Sequence, residues 1–183
     1  APTTPGTPFS HPAGVDVAAD GTIFVADGYG NSRVHAFDVD GRSIASWGTL
    51  GSGPGEFLTP HAVLATTDGR VLVADRDNDR VQVFSRDGVL LDIWTDFRRP
   101  FDIWADAQGF IHVSDSVPSI SRHTPDGARI GRCRPVLFGA HGLSGDAAGC
   151  LYLAEFTPGR LTRLVPLPRP AGPADTRVQL ERT

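Results

Sequence analysis

His61 and His141 carry the first hint of chemistry in this 183-residue chain. Each stands eight residues ahead of a glycine, Gly69 and Gly149, and the two histidines are 80 residues apart. If the chain is built from repeats of about 40 residues, these imidazoles occupy equivalent positions two repeats apart. Two neutral imidazoles converging on one point can serve as ligands for one metal ion. Each could equally hydrogen-bond a loop carbonyl and do nothing more. Phe101 and Ala13 fill the same register in the third and first repeats.

The repeats that must position them are visible in the sequence. Asp27, Asp75, Asp115 and Glu155 each close a short apolar run, at intervals of 48, 40 and 40 residues, and Gly21, Gly69, Gly109 and Gly149 keep the same intervals. A period near 40 made of short strands is the signature of a propeller blade. Each unit opens with an apolar run, turns at Asp-Gly or a similar pair, and continues into an alternating strand such as TIFVAD or RVLVAD. Such turns suit hairpins, because glycine accepts positive φ and aspartate bonds nearby backbone. A third strand, another Asp-Gly turn and a fourth strand complete the unit.

The expectation is therefore an all-β propeller with four blades in this chain, over residues 9–165, with blades near 11–48, 58–95, 99–131 and 138–165. A Pro-rich tail, 166–183, follows. The fourth unit lacks a clear outer strand; residues 177–180 could supply one, or the stretch 166–173 could be linker. Val15, Val17, Val63, Ile103 and Leu143 are expected to be buried between blades, together with Val25, Val73, Val113 and Leu153.

Composition narrows the function classes. The length suits one domain and 40 % of residues are hydrophobic, enough for a core. No apolar run reaches the roughly 18 residues of a membrane span. A net charge of −4 argues against binding nucleic acid phosphates. All basic residues are Arg, which coding bias explains, and methionine is absent even at position 1, so the chain is expected to start inside a longer product. Cys133 and Cys150 lack metal-ligand spacing; a disulfide between them is open, as is a free, buried Cys150.

The string Val25-Ala26-Asp27-Gly28-Tyr29-Gly30-Asn31-Ser32-Arg33 resembles the blade signature of the peptidyl-α-hydroxyglycine α-amidating lyase family, an NHL-repeat propeller. TPHAVLATTDGRVLVADRDNDRVQVF and the connector WGTLGSGPGEF are similar to that family's next unit. The family is six-bladed, with an axial zinc held by three histidines. The resemblance implies zinc ligation by His61 and His141, a catalytic Tyr29 acting on the substrate hydroxyl, and an Arg76 that holds the substrate carboxylate. Zinc would polarise the same oxygen, and C–N cleavage would release a peptide amide and glyoxylate. It also leans toward a secreted or periplasmic location. Without the resemblance, Tyr29 reads as a rim aromatic and Arg76 as a salt-bridged loop residue.

The departures matter as much. The family's third histidine and a further arginine belong to a blade upstream of this chain's first unit. Gly142 follows His141 where the family has an acidic residue that helps hold calcium, so calcium is left without that ligand. Asn31, Asn78, Arg33 and Arg80 read as turn scaffolding. Two further functions remain: a non-catalytic NHL module binding a protein or peptide, and a calcium-dependent lactonase-like propeller using Asp16, Asp102 and Asp146. Four blades where the family has six also leave blade faces and a sheet edge open, which favours self-association.

Overall fold

A computed structural model describes residues 7–136 and 139–167, together with the backbone of 178–181. Four four-stranded antiparallel sheets follow one another along the chain. Blade 1 comprises β1 (Gly14–Val17), β2 (Ile23–Asp27), β3 (Arg33–Phe37) and β4 (Ser43–Trp47). Blade 2 comprises β5 (Pro60–Ala65), β6 (Arg70–Asp75), β7 (Arg80–Ser85) and β8 (Leu90–Trp94), with a 3₁₀ turn at Arg76–Asn78. Blade 3 comprises β9 (Pro100–Ala105), β10 (Ile111–Asp115), β11 (Ser119–His123) and β12 (Arg129–Cys133). Blade 4 comprises β13 (Ala140–Gly145), β14 (Leu151–Glu155), β15 (Arg160–Pro166) and β16 (Val178–Glu181). The protein is an all-β, four-bladed propeller. Its last outer strand comes from beyond residue 165, where the sequence placed the end of the propeller; most of the Pro-rich stretch lies outside the described residues.

The inner hairpins follow one plan. Gly21 and Gly69 each have φ of 87° and donate their N–H to Ala18 and Thr66, three residues back. A side chain at that φ is strained, so the repeating glycine is a backbone requirement.

Each second strand ends on an acid that turns back into its own blade. Asp75 accepts hydrogen bonds from the Leu58 N–H at 2.8 Å, Asn78 Nδ2 at 2.8 Å and Arg80 Nε at 2.7 Å. Arg80 in turn donates to the carbonyls of Ser52, Gly53 and Glu56, latching the Gly-rich connector. Asp27 takes the Ser10 N–H and Asn31 Nδ2, and Glu155 takes Arg160 and Thr162. Asn31, Asn78 and Arg80 are thus scaffold, as their repetition suggested. Arg33 is not part of this clamp: it reaches Ser46 on β4 instead.

Three apolar layers join the four blades. Phe24, Ala26 and Val34 of blade 1 pack on Val63, Val71 and Val73 of blade 2. Leu72, Ala74 and Val81 of blade 2 pack on Ile103, Ile111 and Val113 of blade 3. Ile120 and Trp104 of blade 3 pack on Leu143, Leu153 and Leu164 of blade 4. Among the described residues no such layer joins blade 4 to blade 1, so the blades form an arc. The expected burial holds for Val25, Val63, Val73, Ile103, Val113, Leu143 and Leu153. It fails for Val15 and Val17, which are 65 % and 57 % exposed. Their side chains point at the place a preceding blade would fill, and the described residues put nothing there. Cys133 and Cys150 are free thiols, the first exposed and the second buried, because they sit on the outer strand of blade 3 and the inner hairpin of blade 4.

Candidate functional site

The inner strands β1, β5, β9 and β13 begin around one axial mouth. His61 is the second residue of β5 and His141 the second of β13. Phe101 holds the same place on β9. The two histidine rings meet edge to face with centroids 4.7 Å apart, and Phe101 lies 5.4 Å and 4.9 Å from them. Beneath them is a cavity of about 300 Å³ whose wall includes Gly14, Ala62, Asp102 and Gly142, one residue from each blade.

Tyr29 and Arg76 reach the same rim from the loops that follow β2 and β6. Arg76 Nη1 donates to the Tyr29 hydroxyl at 3.1 Å, and that hydroxyl lies 3.0 Å from His61 Nε2. His61 Nδ1 lies 2.7 Å from the Phe101 carbonyl oxygen. A carbonyl only accepts, so Nδ1 carries the proton and Nε2 offers its lone pair to the Tyr29 O–H. The result is a directed chain, guanidinium to phenol to imidazole to backbone. The Arg76 guanidinium also sits 5.4 Å from the Tyr29 ring centroid and 5.8 Å from that of Phe101. Asp77 holds Arg76 through both carboxylate oxygens and is shared with Arg99, leaving the rim with net positive charge.

Electrostatics keep the histidines neutral. His61 is 3 % exposed, and burial pushes its pKa down to about 4, with the charges of His141 and Arg76 adding to the effect. The His141 pKa is also lowered, by burial first and Arg76 second. A neutral imidazole with Nδ1–H bound to a carbonyl is the state a metal ligand needs. His61 and His141 thus bring two neutral imidazoles, a donor type that zinc accepts, to one rim, with His61 Nε2 engaged by the Tyr29 hydroxyl. The described residues contain no group of three His, Cys, Asp or Glu placed to hold one ion.

The carboxylates of the lactonase alternative have other tasks. Asp16 accepts the Ala65 N–H at 2.8 Å and Asp102 the Leu143 N–H at 2.7 Å. Each ties one inner strand to the inner strand of the next blade. Burial lifts the Asp102 pKa to about 6. Asp146 accepts N–H groups of Ala148 and Cys150 and the Tyr152 hydroxyl, and so serves its own turn. The Phe101 carbonyl, which fixes the His61 tautomer, leaves no mark in a sequence; only the register of position 101 with positions 61 and 141 points there.

A profile of the NHL repeat matches residues 9–37 and 57–84. A probable peptidyl-alpha-hydroxyglycine alpha-amidating lyase of Caenorhabditis elegans is 46 % identical over 80 residues, 42 % of this chain and 23 % of that protein. Human NHL repeat-containing protein 3 is 35 % identical over 122 residues, 65 % of this chain and 31 % of that protein. The chain thus spans less than a third of either relative. Among solved structures, a streptogramin B lyase superposes with a TM-score of 0.74 over 97 % of this chain and 56 % of its own, at 16 % identity, a likeness of fold alone. The chain carries NHL repeats, and about two fifths of it is similar in sequence to amidating lyases.

Proposed function

We propose that this chain contributes part of an amidating-lyase-type site, acting on a peptide that ends in α-hydroxyglycine. The observation that carries this reading is the Arg76–Tyr29–His61 chain facing His141 across the axis. Tyr29 would act as the base toward the substrate hydroxyl. The C–N bond then breaks, its electron pair passing to nitrogen, which is protonated as the amide leaves, while the hydroxyl carbon becomes the aldehyde of glyoxylate. Arg76, on a positively charged rim, would hold the carboxylate through paired N–H bonds. Zinc held by His61 and His141 would supply Lewis-acid polarisation of the reacting oxygen. With two protein ligands from this chain, zinc should bind more weakly than at a three-histidine site, and turnover by this chain alone should be low or absent.

Calorimetric zinc titration and glyoxylate release from a peptidyl-α-hydroxyglycine test this. Zinc binding should vanish in His61→Ala and His141→Ala and persist in Tyr29→Phe, which should lose any turnover. Equal zinc affinity in the parent and the double histidine variant would overturn it.

The second reading is an NHL module that binds a peptide or protein at the same mouth without chemistry. It is favoured by His61 having both ring nitrogens engaged within the chain. Retained peptide binding without zinc or glyoxylate would select it.

A further inference from the structure

The loops after the second strands bring one equivalent residue per blade to the rim. Gly28, Arg76, Ser116 and Phe156 each follow the acid that closes its strand, Asp27, Asp75, Asp115 or Glu155. Arg76 and Phe156 are therefore matching positions two blades apart, as His61 and His141 are. Phe101, on the blade between, lies beside both. The Arg76 guanidinium is 5.8 Å from its ring centroid, and the Phe156 ring is 6.2 Å away. Phe156 also meets the His141 ring at 6.1 Å, and both of its ring contacts are edge to face. Its side chain is thus turned toward the axial residues, yet the residue is 63 % exposed while Phe101 is buried. The mouth is polarised about Phe101, with a guanidinium and a phenol on one side and an aromatic ring on the other.

We infer that Phe156, with Phe101, receives the side chain of the residue that precedes the α-hydroxyglycine, and that a large apolar or aromatic side chain is favoured there. This rests on the amidating-lyase reading of the mouth, in which Arg76 holds the substrate carboxylate. That anchor sets the reach, because consecutive Cα atoms of a peptide are about 3.8 Å apart. A carboxylate paired with Arg76 leaves the preceding side chain one residue further along, where Phe101 gives way to Phe156. The anchor also sets the direction. Away from Phe101, Arg76 is bordered by Asp77, by Arg99 bound to that carboxylate, and by the Tyr29 hydroxyl. Those polar groups give an apolar side chain nothing to pack on. Laid on Phe156, the same side chain removes hydrocarbon of both partners from water, and an aromatic one can add an edge-to-face contact.

The test is a nuclear magnetic resonance titration with three peptides that lack the reactive hydroxyl. They are N-acetyl-phenylalanyl-glycine, N-acetyl-alanyl-glycine and N-acetyl-phenylalanyl-glycinamide, the last without a carboxylate. The parent should bind the phenylalanyl acid about tenfold more tightly than the alanyl acid. In Phe156→Ala the two acids should bind alike, and Phe156→Leu, which keeps apolar bulk, should retain part of the preference. Phe156 is exposed, so both variants should melt with the parent. Equal affinity of the two acids in the parent overturns the inference, as does a preference that survives in Phe156→Ala. The lyase reading is judged separately by the amide. The parent should bind the phenylalanyl acid more tightly than its amide, and Arg76→Ala should bind both equally. Should the parent not distinguish acid from amide, Arg76 is not the carboxylate anchor, and the inference falls with the reading it rests on.

Discussion

The Tyr29 hydroxyl and His61 Nε2 meet at 3.0 Å across the junction of blades 1 and 2, although 32 residues separate them in sequence. The contact exists because the loop after β2 overhangs the start of the next blade's inner strand. Gly28 permits that approach: a Cβ there would come within 2.0 Å of the Pro60 carbonyl oxygen. Blade-to-blade registry, more than any local motif, builds the site.

His61 should remain neutral far below the usual histidine range. Its pKa is lowered to about 4 by burial, so the fold binds fewer protons there than the unfolded chain between that value and 6.5. The stability tied to His61 is complete above about pH 6.5 and erodes as pH falls through about 4. Nitrogen-15 spectra at pH 5 should still show protonated Nδ1 and bare Nε2. An imidazolium pattern at that pH would refute the assignment.

Asp115 should behave in the opposite sense. Blade 3 lacks the arginine clamp of blade 2: Asp115 accepts from Ser119 Oγ at 3.1 Å, its Oδ1 has no hydrogen-bond partner among the described residues, and Arg132 lies 4.0 Å away. Burial raises its pKa to about 6. The folded state therefore prefers the protonated acid; that contribution is full below about pH 3.8 and is lost as pH rises through 6. Asp115→Asn should gain stability relative to the parent between pH 4 and 8, by up to about 3 kcal/mol, at 1.4 kcal/mol per pH unit. Parallel urea midpoints for the two proteins across that range would refute it.

The repeat explains how much of this was legible in advance. Interval and turn glycines determine strand order within a blade, so the sequence alone puts positions 61, 101 and 141 on one rim. Burial of Val15 and Val17 could not be read the same way. They hold the register of Val63 and Ala65 in blade 2, but their environment depends on a neighbouring blade. The outer strand of blade 4 was obscured by the prolines that precede it. Asp16 and Asp102 looked like candidate metal ligands because a backbone N–H in the next blade, which they cap, has no sequence signature.

Val73 and Val15 form a matched pair for measuring that dependence. Val73 is fully buried between blades 1 and 2, so Val73→Ala should cost about 1–3 kcal/mol for lost burial and the cavity left behind. Val15→Ala, in solution dilute enough for single chains, should stay within about 0.5 kcal/mol of the parent. Equal losses would mean that Val15 is covered in the single chain. No loss at Val73 would dismantle the assigned layer.

Arg76 should set the titration of His141 without touching it through a hydrogen bond. Its charge is the second cause of the lowered His141 pKa, after burial, and it also depresses His61, where burial dominates. Arg76→Ala should therefore raise the His141 pKa, seen as a shifted proton titration of the ring, and move His61 less. Arg76→Lys keeps the charge and should leave His141 closer to the parent, although lysine cannot reproduce the planar stack on Tyr29 and Phe101. A carboxylate docked on Arg76 would neutralise the same charge. Saturating glyoxylate should thus raise the His141 pKa in the parent, in the direction of Arg76→Ala, and have little effect in that variant. If Arg76→Ala leaves His141 unmoved, the electrostatic link is wrong. If the link holds but glyoxylate moves nothing, Arg76 does not receive the carboxylate, and the mouth is better read as a peptide-binding surface.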